Sequence, residues 1–192
     1  MAENKVRYGI KGLHYAVATE AQDGSLTYAT PKPYPGSVSL TLDTRGDAVE
    51  FYADDRLYFS ETTNDGYDGT LTTAELPIDF RVDVLGDTLD EDTKVLTENA
   101  NAKPKKVALM YQFDGDVSET YHVLYNVTIS RPGESGETNT ATKTIATNEL
   151  SFVAAKRIDG VVKRRTTADT PQATKESWYT EVFDIAPVVE GP

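Results

Sequence analysis

Two runs of two-residue alternation constrain this chain more than any other feature of its 192 residues. In 121–130, YHVLYNVTIS, the residues Tyr121, Val123, Tyr125, Val127 and Ile129 are expected to share one strand face. In 107–113 the same holds for Val107, Leu109, Tyr111 and Phe113, because successive side chains of a strand point to opposite faces. Asp114-Gly115 lies between the runs, and both residues tolerate the positive φ of a tight hairpin turn. A second hairpin is expected at Asp159-Gly160, joining 149–158, with Leu150, Phe152 and Ala154 on one face, to 161–167. Further turns are expected at Asp23-Gly24, Gly46-Asp47, Asp65-Gly66 and Asp68-Gly69. Twenty-five threonines, recurrent Tyr and Val, and no long run of helix formers suit a pleated, half-buried surface. Many short strands between such turns predict a mainly β chain, a sandwich or barrel, and the length suits one domain over 1–192.

Three segments depart from this pattern. Residues 77–85, PIDFRVDVL, begin with a proline suited to a helix's first turn and are followed by Gly86, suited to its C-terminal cap. A short flanking helix is expected there, with Ile78, Val82 and Leu85 on its apolar stripe and Phe80 and Val84 beside it. Residues 41–70 hold Phe51, Tyr52, Leu57, Tyr58 and Phe59 among acids and turn residues, a mixture that predicts a long projecting hairpin whose aromatics need a partner. The arm 166–192 reads as polar and without regular structure up to Glu176. Its aromatics from Trp178 onward either fold back onto the chain's own core or dock on a neighbouring subunit.

Chemistry is sparse. With no cysteine, disulfides and thiolate metal sites are excluded, and two histidines, His14 and His122, do not build an imidazole centre. Adjacent acids such as Asp54 and Asp55 point to opposite faces of an extended chain, which does not make a catalytic pair. The carboxylates around Asp65 and Asp68 and at Asp87, Asp90, Glu91 and Asp92 lack the spacing of a calcium loop. No nucleotide loop or nucleophile elbow occurs, no apolar stretch approaches a membrane span, and the first residues lack the apolar core of a secretion signal. The expectation is a non-enzyme with no cofactor and no metal.

Charge is unevenly placed. Residues 43–92 carry fifteen acids against three arginines, so this stretch alone matches the net charge of −12 of the whole chain. Basic groups lie elsewhere, at Lys103, Lys105 and Lys106 and at Lys156, Arg157, Lys163, Arg164 and Arg165. Such a balance argues against a general nucleic-acid binder and suits two unlike faces that could meet on different copies.

Read in order, KVRYGIKGLHYAV from Lys5, YATPKPYPGSVSLTLDTRGD from Tyr28, FYADD from Phe51, GYDGTLTTAELPIDFRVDVLG from Gly66, AKPKKVALMYQFDGD from Ala102 and HVLYNVTISRPGESGET from His122 carry a resemblance. With ELSFVAAKRIDGVVK from Glu149 and the late aromatic segment, the chain resembles the major tail tube protein of long, non-contractile-tailed bacteriophages of Gram-positive hosts. The resemblance implies a β-sandwich with one flanking helix, six copies closing into a ring, and rings stacking head to tail into a tube. DNA would pass through the lumen without specific binding, which an acidic excess favours. Implied partners are further copies and the tape-measure, tail terminator and distal tail proteins, in a virion tail assembled in the host cytoplasm, with no membrane. Subunit or ring contacts are expected at Phe51, Tyr52, Asp54, Asp55, Tyr58, Lys163, Arg164, Arg165 and Trp178. The alternative is a carbohydrate- or surface-binding β-sandwich, in which Tyr52, Tyr58 and Tyr67 would stack on sugars.

Overall fold

The alternating runs around Asp114-Gly115 form the middle of the protein. The computed structural model describes residues 8–134, 138 and 146–185; the first three residues of the run from Lys5 and the arm beyond 185 lie outside them. The strands are β1 (Ile10–Glu20), β2 (Leu26–Tyr28), β3 (Lys32–Pro33), β4 (Ser37–Arg45), β5 (Ala48–Ala53), β6 (Arg56–Thr62) and β7 (Gly66–Thr73). There follow β8 (Thr88–Leu89), β9 (Leu96–Thr97), β10 (Val107–Phe113), β11 (Tyr121–Ile129), β12 (Asn148–Ala155) and β13 (Lys163–Arg165). One antiparallel sheet runs β2-β1-β10-β11-β12-β7-β4, with β3 on β1 and β13 on β11. The sheet curls so that β4, at one end, comes close to β1 near the other. The mainly β expectation holds.

Pairing follows the alternation, with corrections. β10 and β11 are antiparallel neighbours, but residues 114–120 join them rather than a two-residue turn, and the buried Asp116 carboxylate accepts the backbone N–H groups of Ser118 and Thr120 at 3.0 Å. The single face expected for 121–130 is not kept. Leu109 pairs with Leu124 and Val107 with Val127, so β11 carries one extra residue, a bulge that exchanges its faces. Val123 and Tyr125 therefore face one cluster, whereas Val127 and Ile129 face another. Asp159-Gly160 does turn the chain, yet β13 does not return along β12. Both strands lie along β11, β12 against Asn126–Ile129 and β13 against His122–Leu124, so the turn is an excursion in one interrupted strand. Asp68-Gly69 is no turn either. It lies inside β7, where Gly69 faces Phe152 and an added Cβ would stand 2.2 Å from the ring.

The two bulged faces explain why both sides of the central strands are apolar. One side holds Leu13, Tyr15, Tyr34, Leu71, Leu109, Leu124, Leu150 and Phe152, closed by the flanking helix. That helix is α1 (Ile78–Phe80) continued by a π turn, Arg81–Leu85, with Pro77 as N-cap and Gly86 (φ 81°) as C-cap. Its expected face is corrected. Phe80, Val84 and Leu85 are buried while Ile78 is 54% exposed and Val82 only half-buried, because π spacing lines up residues five apart, such as Phe80 and Leu85. The other side of the sheet holds Ala16, Ala108, Met110, Val123 and Tyr125, covered by the C-terminal segment. Part of the stretch read as structureless is helix α2 (Gln172–Ser177), entered from Pro171.

Candidate subunit-contact surface

Among the described residues β5 and β6 pair only with each other, so they stand off the main sheet as a two-stranded ribbon. Its root is fixed by backbone crowding: a Cβ at Gly46 would lie 2.0 Å from the Thr63 carbonyl, and one at Gly66 1.9 Å from that of Ala154. Thr63 ties the root together, its Oγ1 accepting the Asp47 N–H at 3.0 Å while its own N–H donates to the Asp47 carbonyl. At the tip Ala53 pairs with Arg56, and Asp54 and Asp55 both take positive φ, 54° and 57°. Two consecutive left-handed residues make the twisted turn that strands of this hand prefer, and Asp is among the side chains that tolerate it.

The ribbon places the predicted aromatics together. Phe51 pairs with Phe59, Tyr52 pairs with Leu57, and Tyr58 is the extra residue between them. One face thus carries Phe51, Phe59 and Val49, with the Tyr58 ring edge-on to Phe51 at 6.4 Å. The opposite face carries Tyr52, Leu57 and Glu50, and the Tyr52 hydroxyl donates to the Glu50 carboxylate at 2.8 Å, which raises its pKa. Val49, Phe51, Tyr52, Leu57, Tyr58 and Phe59 are all about half exposed or more, from 48% to 67%. They make up six of the thirteen large apolar side chains that the described residues leave exposed, a density that marks an interaction surface. Tyr67 does not join them: it sits in β7 with the Lys163 ammonium 5.1 Å above its ring.

The remaining predicted contact residues lie elsewhere, Arg164 and Trp178 on the second face of the sheet and Lys163 beside Tyr67 on the first. Trp178 is 1% exposed and stacks on Phe183 at 5.1 Å, so the arm's first aromatic folds back onto its own chain. Tyr125 donates its hydroxyl to the Phe183 carbonyl, and Arg157 and Arg164 both pair with Asp184, Arg157 at 2.6 Å. Burial alone would raise the Asp184 pKa, but hydrogen bonds from Arg157 and Arg164 outweigh it and hold the carboxyl below its ordinary value. Of the basic cluster, Lys163 covers Tyr67, Arg164 is held by Asp184, and Arg165 is exposed. Between β13 and α2 a cavity of about 390 Å³ opens, with Trp178, Phe183 and Ile185 as its apolar wall and Arg165, Thr170 and Thr174 at its polar side. Sequence reading missed this cavity, whose walls come from residues scattered over some twenty positions.

The carboxylates considered as cation ligands have other roles. Asp87 is fully buried against Arg131 at 2.8 Å, Asp65 pairs with Lys156 at 3.1 Å, and Asp90 accepts the backbone N–H and hydroxyl of Thr93, each at 2.7 Å. Among the described residues no cluster of three or more histidines and acids could hold a metal, and no helix is long and apolar enough to cross a membrane.

No protein-family model and no curated protein matches the sequence. Among solved structures, the fold is similar to a chain of the sheath-tube complex of the PVC extracellular contractile injection system in its extended state. The identity is 12% over 81% of this chain and 88% of that one, with a TM-score of 0.46. It is likewise similar to the sheath/tube terminator of that system (13%, 81% and 94%, TM-score 0.49) and to the tube-terminating cap of the anti-feeding prophage (14%, 86% and 96%, TM-score 0.44). Likeness at this level carries no functional information, and the ribbon is read on its own geometry.

Proposed function

We propose that this protein is a structural subunit that assembles with copies of itself into rings stacked as a tube, of the kind that forms a phage tail. The observation that carries the reading is the ribbon, whose two faces hold five exposed aromatic or leucine side chains and no cover from the other described residues. A two-stranded ribbon with no third strand is marginal in water, so its apolar residues are best accounted for by a partner. The sequence resemblance supplies the architecture: six copies per ring, DNA passing through the lumen, and tape-measure, terminator and distal proteins at the ends of a virion tail. No catalytic role is proposed.

Magnitudes favour closed assembly over a simple pair. Full burial of such a side chain contributes about 1.5–3 kcal/mol, so covering five that are already half buried yields roughly 5 kcal/mol. Association costs on the order of 4–15 kcal/mol, which one ribbon contact barely meets. A head-to-tail contact repeated around a ring lets every copy both give and receive a ribbon, and closure adds contacts without adding free subunits. Electron microscopy and sedimentation of the purified protein test this. Wild type is expected to form rings or tubes, and Phe51→Ala with Tyr52→Ala, both at exposed positions, is expected to leave folded monomers. Tubes at normal yield from the double variant would overturn the assignment.

A further inference from the structure

We infer that the cavity between β13 and α2 is the socket on one copy that receives the ribbon tip of the next. This rests on the self-assembly reading above and adds the receiving surface that it leaves open. The tip is an aromatic knob with a net negative turn: Asp54 and Asp55 form the turn, the exposed Arg56 follows it opposite Ala53, and Tyr52 and Leu57 come next down the ribbon, 63% and 49% exposed. The socket is its complement. Its apolar wall is Trp178, Phe183 and Ile185, and its polar side is lined by Thr170, Thr174 and Arg165. Arg165 is exposed and has no ion pair among the described residues, unlike Arg164 beside it.

Trp178, part of the socket's wall, also carries an unpartnered donor, which the arrival of a knob would have to uncover. The Trp178 Nε1–H is buried and has no hydrogen-bond acceptor among the described residues, a condition native structures rarely leave in place. The knob supplies acceptors of two kinds, the Tyr52 hydroxyl and the turn carboxylates, on the same few residues that supply the apolar contact. At about 390 Å³ the cavity is in the size range of sites that take a small group of side chains rather than a whole strand. Knob and socket lie on different elements, so the contact is heterologous and propagates from copy to copy.

Because the chain has no cysteine, an introduced pair reports the contact without background. Ala53→Cys on one copy and Thr174→Cys on another, mixed during assembly and treated with a short bis-maleimide, are expected to give dimers. The same two substitutions in one chain are expected to give a ladder of linked copies. Tubes that form with no product between copies, or with linkage only inside one chain, would overturn the socket and leave the self-assembly reading intact. Failure of wild type to assemble at all would overturn both.

Charge and fluorescence give independent readouts. Asp54→Asn with Asp55→Gly keeps a turn of the favoured kind while removing both charges, and Arg165→Glu reverses the rim. Each is expected to slow assembly about tenfold at 0.05 M salt and much less at 0.5 M, where screening is strong. Unchanged rates for both would overturn the inference. Trp178 is the only tryptophan, so its emission should change as wild type assembles, and an unchanged spectrum would count against occupation of the socket.

Discussion

Replacing Phe80 and Ile78 separately by alanine distinguishes the two possible faces of the flanking helix. Phe80 has no exposed surface and meets two rings edge-on, Tyr15 with centroids 5.1 Å apart and Tyr34 at 4.9 Å. Truncating a buried Phe costs about 3–5 kcal/mol, from lost transfer energy and the cavity left behind, and the rigid ring cage here allows little collapse. At about 2–4 °C per kcal/mol for a chain of this size, a loss near 4 kcal/mol lowers Tm by roughly 8–16 °C. Ile78 is 54% exposed, and a surface truncation of that kind stays within about 0.5 kcal/mol, or at most about 2 °C. Thermal unfolding should be followed by circular dichroism on dilute protein carrying Phe51→Ala and Tyr52→Ala, since assembly would otherwise add concentration-dependent stability. A drop for Ile78→Ala equal to or larger than that for Phe80→Ala would refute the π-turn account of the helix face.

Gly69→Ala puts a methyl group 2.2 Å from the Phe152 ring, which must then leave its place against β7. The expected cost is about 1–3 kcal/mol, read as a lower Tm, and a neutral result would show that Phe152 moves freely. Acid should loosen the C-terminal segment through Asp184. Its native pKa is depressed, so its contribution is complete above its unfolded value near 3.8 and is lost as pH falls through the lower native value. Asp184→Asn should remove that step from an acid titration followed by Trp178 emission, and an identical profile in wild type and variant would refute the linkage.

Alternation was legible because it is local, and it located β10, β11 and β12 with the inward set Leu150, Phe152 and Ala154. What escaped are features set by neighbours distant in sequence. The extra residue in β11 has no signature of its own: Tyr125 and Val127 look alike in the pattern, and only pairing with β10 shows that they face opposite ways. Asp68-Gly69 has the composition of a turn, but the glycine is there because a ring from β12 lies against it. In the flanking helix, periodicity of 3.6 selects Ile78, Val82 and Leu85, whereas the π turn selects Phe80, Val84 and Leu85. The ribbon was readable from its unusual mixture of acids and aromatics. The tip had a signal too, since Asp54-Asp55 between apolar runs can form a left-handed turn as Asp-Gly does.

The charge asymmetry of the sequence acquires a sharper meaning once the acids are placed. Asp65, Asp83 and Asp87 on the body pair with Lys156, Lys32 and Arg131 from outside the stretch, so part of the excess read in 43–92 is offset within the fold. Glu50, Asp54, Asp55 and Glu61 on the ribbon have no ion pair among the described residues, and with only Arg56 beside them they leave the ribbon net negative. This matters because, among the described residues, β5 and β6 each present an unpaired outer edge, the usual template for unwanted strand addition. Two ribbons approaching edge to edge would bring like charges together. A ribbon approaching the rim at Arg165 meets an unpaired opposite charge. The same four carboxylates therefore oppose sideways aggregation of ribbons and favour knob-to-socket contact, so electrostatics selects the mode of association while apolar burial supplies most of its strength.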